Sequence, residues 1–298
     1  MILFKSDIRE GSFRLNDILG IAGLSYITFR TVALYYDTSK NDTPVSFWRF
    51  FTFTTFTPTL LIGPIDRYAR FNRNLEEGFS QLNSSIFNLG LQRILYGILY
   101  TYVLAELVSR YLLSGNMESD KLSFFQMSVD SYWYFLHLYF DFAGYSFMAV
   151  GFSNLMGIYV PPNFNKPFLS RNPQQFWRSF HITLGDWLND YFFKPLYKWI
   201  SKKKQFKTFP LLRQNFALFS TFTLMGCWNG FQLHFIVSGM LFGLYSVVHN
   251  SYIYYSHRKF GYDFIFRSLP DPIVKWVSIV LLFHFAAFSI YIFSGKLF

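Results

Sequence analysis

"GCWNGFQLHFIVSGMLFGLYSVV", residues 226–248, places an amide, Asn229, and an imidazole, His234, in a run built mostly of apolar residues and glycine. About 20 mainly apolar residues are enough to cross the hydrocarbon layer of a bilayer, and the stretch 233–255 meets that length. Polar side chains inside such a segment either form a site or bond one helix to another. Gly239 and Gly243 make a GxxxG face, which lets a second helix approach closely.

The whole chain has the same character. Of its 298 residues, 52% are hydrophobic and 23% aromatic, and only 15% are charged, where a soluble domain averages about 25%. Mean hydropathy is +0.21. Forty Phe and 21 Tyr suit lipid-facing and interfacial positions. These numbers define an all-α, polytopic membrane protein. The net charge of +10 fits basic cytoplasmic loops and does not call for nucleic acid. One cysteine, Cys227, excludes a disulfide within the chain. The first residues, "MILFKSDIREGSFRLND", carry acids and no cleavage site, unlike a signal peptide; they resemble a loop between spans.

Candidate spans are 17–36, 46–62, 86–113, 122–142, 143–160, 212–228, 233–255 and 274–294. The stretch 46–62, with Arg49, five threonines and Pro58, reads as a broken or re-entrant helix. The stretch 122–160 is either two helices or one long one. No repeat or linker divides the chain, so residues 1–298 are expected to form a single membrane domain.

Segment 161–200 is too polar for a span. Asn172 before Pro173 is a helix start, and Gln175 can complete a capping box. Gly185 suits a C-terminal stop. The expectation is a short helix over 173–184 carrying Trp177, Arg178 and His181 on one face, then a second over 186–194 that ends before Pro195. From Lys194 to Arg213 the chain holds Lys202, Lys203, Lys204 and Lys207 among other cations and no acid, a cytoplasmic signature.

Three further groups can carry chemistry. His181 beside Trp177 and Arg178 can hold an acyl donor or steer an anion; equally, Trp and Arg anchor interfacial helices. Asp141, in "YFDFAGYSFMAVGFSNLMGI" (139–158), is a carboxylate among aromatics, with Tyr145 one turn on and Asn154 beyond. Such a group marks a site or a bond between helices. His234 is the residue type suited to general-base work, and Asn229 can orient a substrate. "LLIGPIDRYARFNR" (60–73) reads as an interfacial basic loop. No residues have metal-ligand spacing.

Taken together, "GPIDRYARF", "FDFAGY", "FNKPF", "FWRSFHITLGDWLNDYFF" and "LMGCWNGFQLHFIVSG" resemble the membrane-bound O-acyltransferase (MBOAT) family, over about residues 18–298. The resemblance implies a ring of tilted helices with short interfacial and re-entrant helices around a thin centre, and acyl transfer to a hydroxyl. It is strongest to the branch that D-alanylates teichoic acids in the Dlt pathway. That branch implies a D-alanyl carrier protein with a phosphopantetheine thioester and a membrane-anchored partner protein. It also implies a lipoteichoic acid acceptor and the cell membrane of a Gram-positive bacterium. Catalytic residues would be His181, His234 and Asn229. Substrate contacts would come from Asp141, Tyr145, Asn154, Trp177, Arg178 and Trp228, and carrier docking from Lys202, Lys203, Lys204 and Lys207. His181 and Asp141 match the family pattern, whereas Asn229 stands where its "WHG" motif has histidine. The chain also begins later than family members do. Polysaccharide O-acetylation and a non-catalytic binding or transport scaffold are the alternative functions.

Overall fold

The computed structural model describes residues 23–41, 44–113, 123–261 and 270–297. Its regular elements are helical. They are α1 (Leu24–Asn41), α2 (Phe47–Thr54), a 3-10 turn (Thr57–Thr59), α3 (Tyr68–Gln81), α4 (Ser84–Tyr111) and α5 (Phe124–Leu155). The short helices α6 (Pro173–Trp177), α7 (Ile182–Leu188) and α8 (Lys194–Ser201) follow, and then α9 (Pro210–Asn229), α10 (Leu233–Phe260) and α11 (Asp271–Phe293). Among the described residues, α4, α10 and α11 are long and apolar enough to cross a membrane. At 1.5 Å per residue they run about 35–42 Å against a hydrocarbon thickness of about 30 Å. The region 122–160 forms one helix, α5, whose 32 residues reach about 48 Å.

The chain groups into two compact units. The first draws on Met1–Leu95 and Tyr145–Pro161. As the threonines and Pro58 imply, 46–62 is broken: α2 ends at Thr54 and a 3-10 turn follows. The break leaves carbonyls without helical partners. Arg30 of α1, only 1% exposed, supplies the donors. Its guanidinium donates to the carbonyls of Phe53 (3.2 Å), Thr54 (3.3 Å) and Thr59 (2.8 Å), and to the Thr59 hydroxyl. Around this plug pack Leu34, Phe53, Phe56, Phe71, Val150, Ile158 and Val160.

The second unit draws on Tyr96–Gly144 and Pro162–Phe298. Phe176 of α6 stacks between Phe180 and Phe242, with ring centroids 5.1 and 5.9 Å away. Phe135, Leu282, Ala286, Ala287 and Ile290 complete that core. Ser238 of α10 and Ser289 of α11 exchange hydroxyl-to-carbonyl hydrogen bonds at 2.8 and 3.1 Å. The GxxxG face meets α9. A Cβ on Gly239 would lie 2.5 Å from the Phe222 carbonyl oxygen and 2.9 Å from the Gly226 Cα.

Two boundary expectations fail. The helix that starts at Asn172 and Pro173 ends at Trp177, not 184, and a new one begins at Ile182, with Gly185 inside it. Pro195 does not end the next helix either. A π-helical stretch, Asn189–Phe193, joins α7 to α8, and Pro195 occupies the first turn of α8. The wider turn accommodates a residue that lacks an N–H and crowds the carbonyl four residues back.

Gly239→Leu must force α9 and α10 apart at backbone contact. We expect a loss of about 1–3 kcal/mol or more, read as an earlier loss of the monodisperse peak when detergent-solubilised protein is heated before size-exclusion chromatography.

Candidate active site

The helix start at Asn172 forms as its residue types dictate. Its side-chain oxygen accepts from the Gln175 N–H at 2.8 Å, and the Gln175 side chain accepts from the Arg171 N–H at 2.9 Å. Pro173 opens α6. After only five residues the chain turns, because an upstream strip captures it. Phe164 and Phe180 form an antiparallel bridge, and Asn165 N–H donates to the Ser179 carbonyl at 2.9 Å. Asn163 then receives the start of α7. Its carbonyl accepts from Ile182 N–H (2.9 Å), and its side-chain oxygen accepts from the Thr183 hydroxyl (2.6 Å).

Between these anchors His181 adopts a left-handed backbone, φ 52° and ψ 50°. Histidine tolerates this region better than most residues, and the strain is of order 1–3 kcal/mol. The side chain is 6% exposed. Its ring meets Phe142 of α5 edge-on at 4.6 Å and lies 6.1 Å from the ring of Trp228. Nε2 is buried with no hydrogen-bond partner among the described residues, and neither has the neighbouring Asn163 Nδ2. Orphaned buried polar atoms of this kind call for a ligand or water. Burial lowers the His181 pKa to about 3, so the ring is neutral at physiological pH.

The expected shared face of Trp177, Arg178 and His181 does not form, since the helix stops at Trp177. Trp177 packs on Phe222 and Phe242 at 5.5 and 4.8 Å, and its buried Nε1 has no hydrogen-bond partner among the described residues. Arg178 is exposed. Asn229, last residue of α9, turns its amide nitrogen back to the Met225 carbonyl at 2.8 Å. Gly230 then breaks the chain at φ 155°, ψ 162°, a conformation close to glycine-only. His234 therefore belongs to the first turn of α10. Its Nδ1 lies 2.8 Å from the Phe293 carbonyl and so must be the donor; Nε2 faces Gln232 Oε1 at 3.1 Å, a contact that becomes a hydrogen bond when Nε2 carries a proton. Both ring nitrogens of His234 thus face protein acceptors. Cys227, half-buried, precedes Trp228.

Asp141 is half-buried on α5, and its main-chain carbonyl accepts from the Thr101 hydroxyl at 3.4 Å. Asn154 and Tyr145 belong to the first unit. There the Asn154 oxygen accepts from Arg93 Nη1 at 2.8 Å and its nitrogen donates to the Val150 carbonyl at 3.3 Å, a tie between α5 and α4. Lys202, Lys203, Lys204 and Lys207 are exposed around a 3-10 turn, Lys204–Phe206, with the Lys203 ammonium over the Trp199 ring at 4.6 Å. Sequence reading missed Asn163 and Arg30. Arg30, the one charged residue between Leu24 and Tyr36, was a usable signal for the second; nothing local distinguished the first.

A helical membrane domain with a neutral histidine buried at a helix break suits an enzyme that moves acyl groups. The model of the membrane-bound O-acyltransferase family matches residues 16–292, and the chain belongs to that family of acyltransferases. It is similar to the teichoic acid D-alanyltransferases of Bacillus subtilis and Streptococcus thermophilus. Identities are 33% and 32%, over 94% of this chain and 70% and 69% of theirs. It is also 29% identical to a probable alginate O-acetylase of Pseudomonas aeruginosa, over 91% of this chain and 48% of that protein.

The depressed His181 pKa fixes a pH dependence. The unfolded chain takes up a proton as pH falls through about 6.5, and the folded chain does not until about 3. Stability conferred above 6.5 is therefore lost progressively between those values, by about 2 kcal/mol at pH 5. Thermal unfolding in detergent is expected to show a smaller drop from pH 7 to pH 5 for His181→Asn, which keeps the left-handed backbone accessible, than for the unaltered protein.

Proposed function

We propose that this chain transfers D-alanine from a carrier-protein thioester to an acceptor hydroxyl on the route to lipoteichoic acid, in the cell membrane of a Gram-positive bacterium. The observation that carries the reading is the buried, unpartnered Nε2 of His181. The names of the 32–33% identical relatives supply the substrate class.

The phosphopantetheine arm of the carrier supplies an activated acyl group, and this chain's residues do the rest. The exposed lysines at 202, 203, 204 and 207 offer a docking surface for an acidic carrier and its phosphate. A partner protein anchored in the same membrane would receive the product side. Nε2 of neutral His181 accepts a hydrogen bond from the acceptor hydroxyl, and takes its proton as the hydroxyl oxygen attacks the thioester carbonyl. The C–O bond forms, the C–S bond breaks, and the proton passes to the departing thiolate. The Asn163 amide nitrogen is a donor available to the oxygen that gains charge. Trp228 and Phe142 flank the imidazole, and Asp141, Trp177 and Arg178 are assigned to substrate contact. Asn229 orients substrate through its amide oxygen. His234, tied to Phe293 and Gln232, is the weaker candidate base.

The test is transfer of radiolabelled D-alanine from D-alanyl-carrier in proteoliposomes. His181→Asn is expected to lower kcat by about 10²–10⁴, with normal solubility. Activity within threefold of the unaltered protein removes His181 as the base. Acetyl transfer in place of D-alanyl transfer favours the alginate-like reading; carrier binding with no transfer favours a scaffold, the outcome that Asn229 at the motif histidine would then explain. Charge reversal at Lys202, Lys203 and Lys204 is expected to raise KM for the carrier at least tenfold with little change in kcat, an effect that added salt reproduces in the unaltered protein.

A further inference from the structure

Helix α5 carries a line of ionisable and phenolic side chains of which the acyl-transfer reading uses only Asp141. Asp130, Tyr134, His137 and Asp141 recur at i, i+4, i+7 and i+11. At 100° per residue they fall within an arc of about 60°, and they extend about 16 Å along the helix axis. Asp130, His137 and Asp141 are the only acidic or histidine residues of this helix, and all three lie on that stripe. Asp130 is fully buried and Tyr134 nearly so, while His137 and Asp141 are half-buried. The stripe is therefore closed at one end and open at the other.

The neighbours of the stripe are defined. The Tyr134 ring lies 6.3 Å from His137 and within electrostatic reach of Asp141, which also senses His137. From α11, Tyr291 stands edge-on to Tyr134 at 6.4 Å and within electrostatic reach of Asp130. Tyr291 is only 2% exposed, yet its hydroxyl has no hydrogen-bond partner among the described residues. His137 Nδ1 lies 3.0 Å from the Ala105 carbonyl, in a π-helical stretch of α4, Leu99–Ala105. Nδ1 must donate there, so the neutral ring keeps Nε2 as an acceptor. The stripe thus offers two carboxylates, an imidazole acceptor, a phenol ring face and an unsatisfied phenol hydroxyl. That is a set for a cation with N–H donors. One such cation already touches it: the Lys296 ammonium sits 5.9 Å from the centre of the Tyr134 ring.

We propose that this stripe is a binding track for a primary ammonium group, and that the amine of the aminoacyl substrate is what it recognises. This deepens the D-alanyl reading, on which it rests for the identity of the amine. A D-alanyl group carries an ammonium charge that an acetyl group lacks, and that charge is costly to move through a low-dielectric interior unless acceptors accompany it. Asp141, at the open end, meets the ammonium first.

The probe is D-alanine methyl ester at pH 6.5, where its amine is largely protonated. Methyl isobutyrate, which has the same shape without the charge, is the comparison. Saturation-transfer NMR on the full chain in nanodiscs is expected to show saturable binding of the first and not of the second. Asp141→Asn is expected to weaken binding at least tenfold and Asp141→Glu to retain it. Tyr291→Phe, which removes only the unpartnered hydroxyl, is expected to weaken it about threefold. Equal binding of both esters, no binding of either, or binding unaffected by Asp141→Asn overturns the track. If either Asp141 variant fails to fold, the comparison of the two esters on the unaltered protein, together with Tyr291→Phe, decides. Ammonium-selective binding without D-alanyl transfer keeps the track and removes the proposed function. Full D-alanyl transfer by Asp141→Asn does the reverse.

Discussion

A helix that breaks inside a membrane strands backbone N–H and C=O groups where no water can reach them. This protein breaks its helices repeatedly, and its polar side chains are placed where the breaks occur. Arg30 collects the carbonyls that α2 and the 3-10 turn leave open. Asn163 takes the first N–H groups of α7. His234 supplies a donor to the Phe293 carbonyl near the end of α11. In each case one residue from a separate part of the chain does what solvent does in a soluble protein: Arg30 and His234 through their side chains, and Asn163 through its main-chain carbonyl as well as its amide oxygen.

His181 stands apart against this background. It too lies at a break, in a left-handed conformation that its neighbours impose, yet its own side chain repairs nothing. The backbone around it is satisfied by Asn163, and Nε2 of the imidazole stays buried without a partner among the described residues. The same logic separates it from His234, whose ring is taken up by Phe293 and Gln232. Two histidines of similar appearance in the sequence thus divide into one whose ring is tied to distant backbone and one whose buried Nε2 has no hydrogen-bond partner among the described residues.

Much of the fold was legible because its signals are local. Asn172 with Pro173, the glycines at 239 and 243, and the threonines and Pro58 each act on residues within a turn or two, and each did what its chemistry suggests. The break at His181 was not legible, because it depends on Asn163 and Phe164, some 17 residues upstream, and Gly185 was a false stop. Pro195 misled because a π-helical stretch removed the penalty it normally carries. The tie from His234 to Phe293 spans 59 residues and left no trace in the pattern. The stripe on α5 lay within reach of a helical-spacing search. Taken one residue at a time, only Asp141 stands out, as a carboxylate among aromatics; Asp130, Tyr134 and His137 gain meaning from their shared helical spacing.

Cys227 acquires a practical meaning from its position. It is the only thiol in the chain, it is half-buried, and it adjoins the tryptophan whose ring approaches His181. A small thiol-reactive fluorophore or spin label therefore has a single address on this protein, beside the candidate catalytic imidazole. No engineered cysteine and no removal of native ones would be needed to follow the arrival of an acyl donor there.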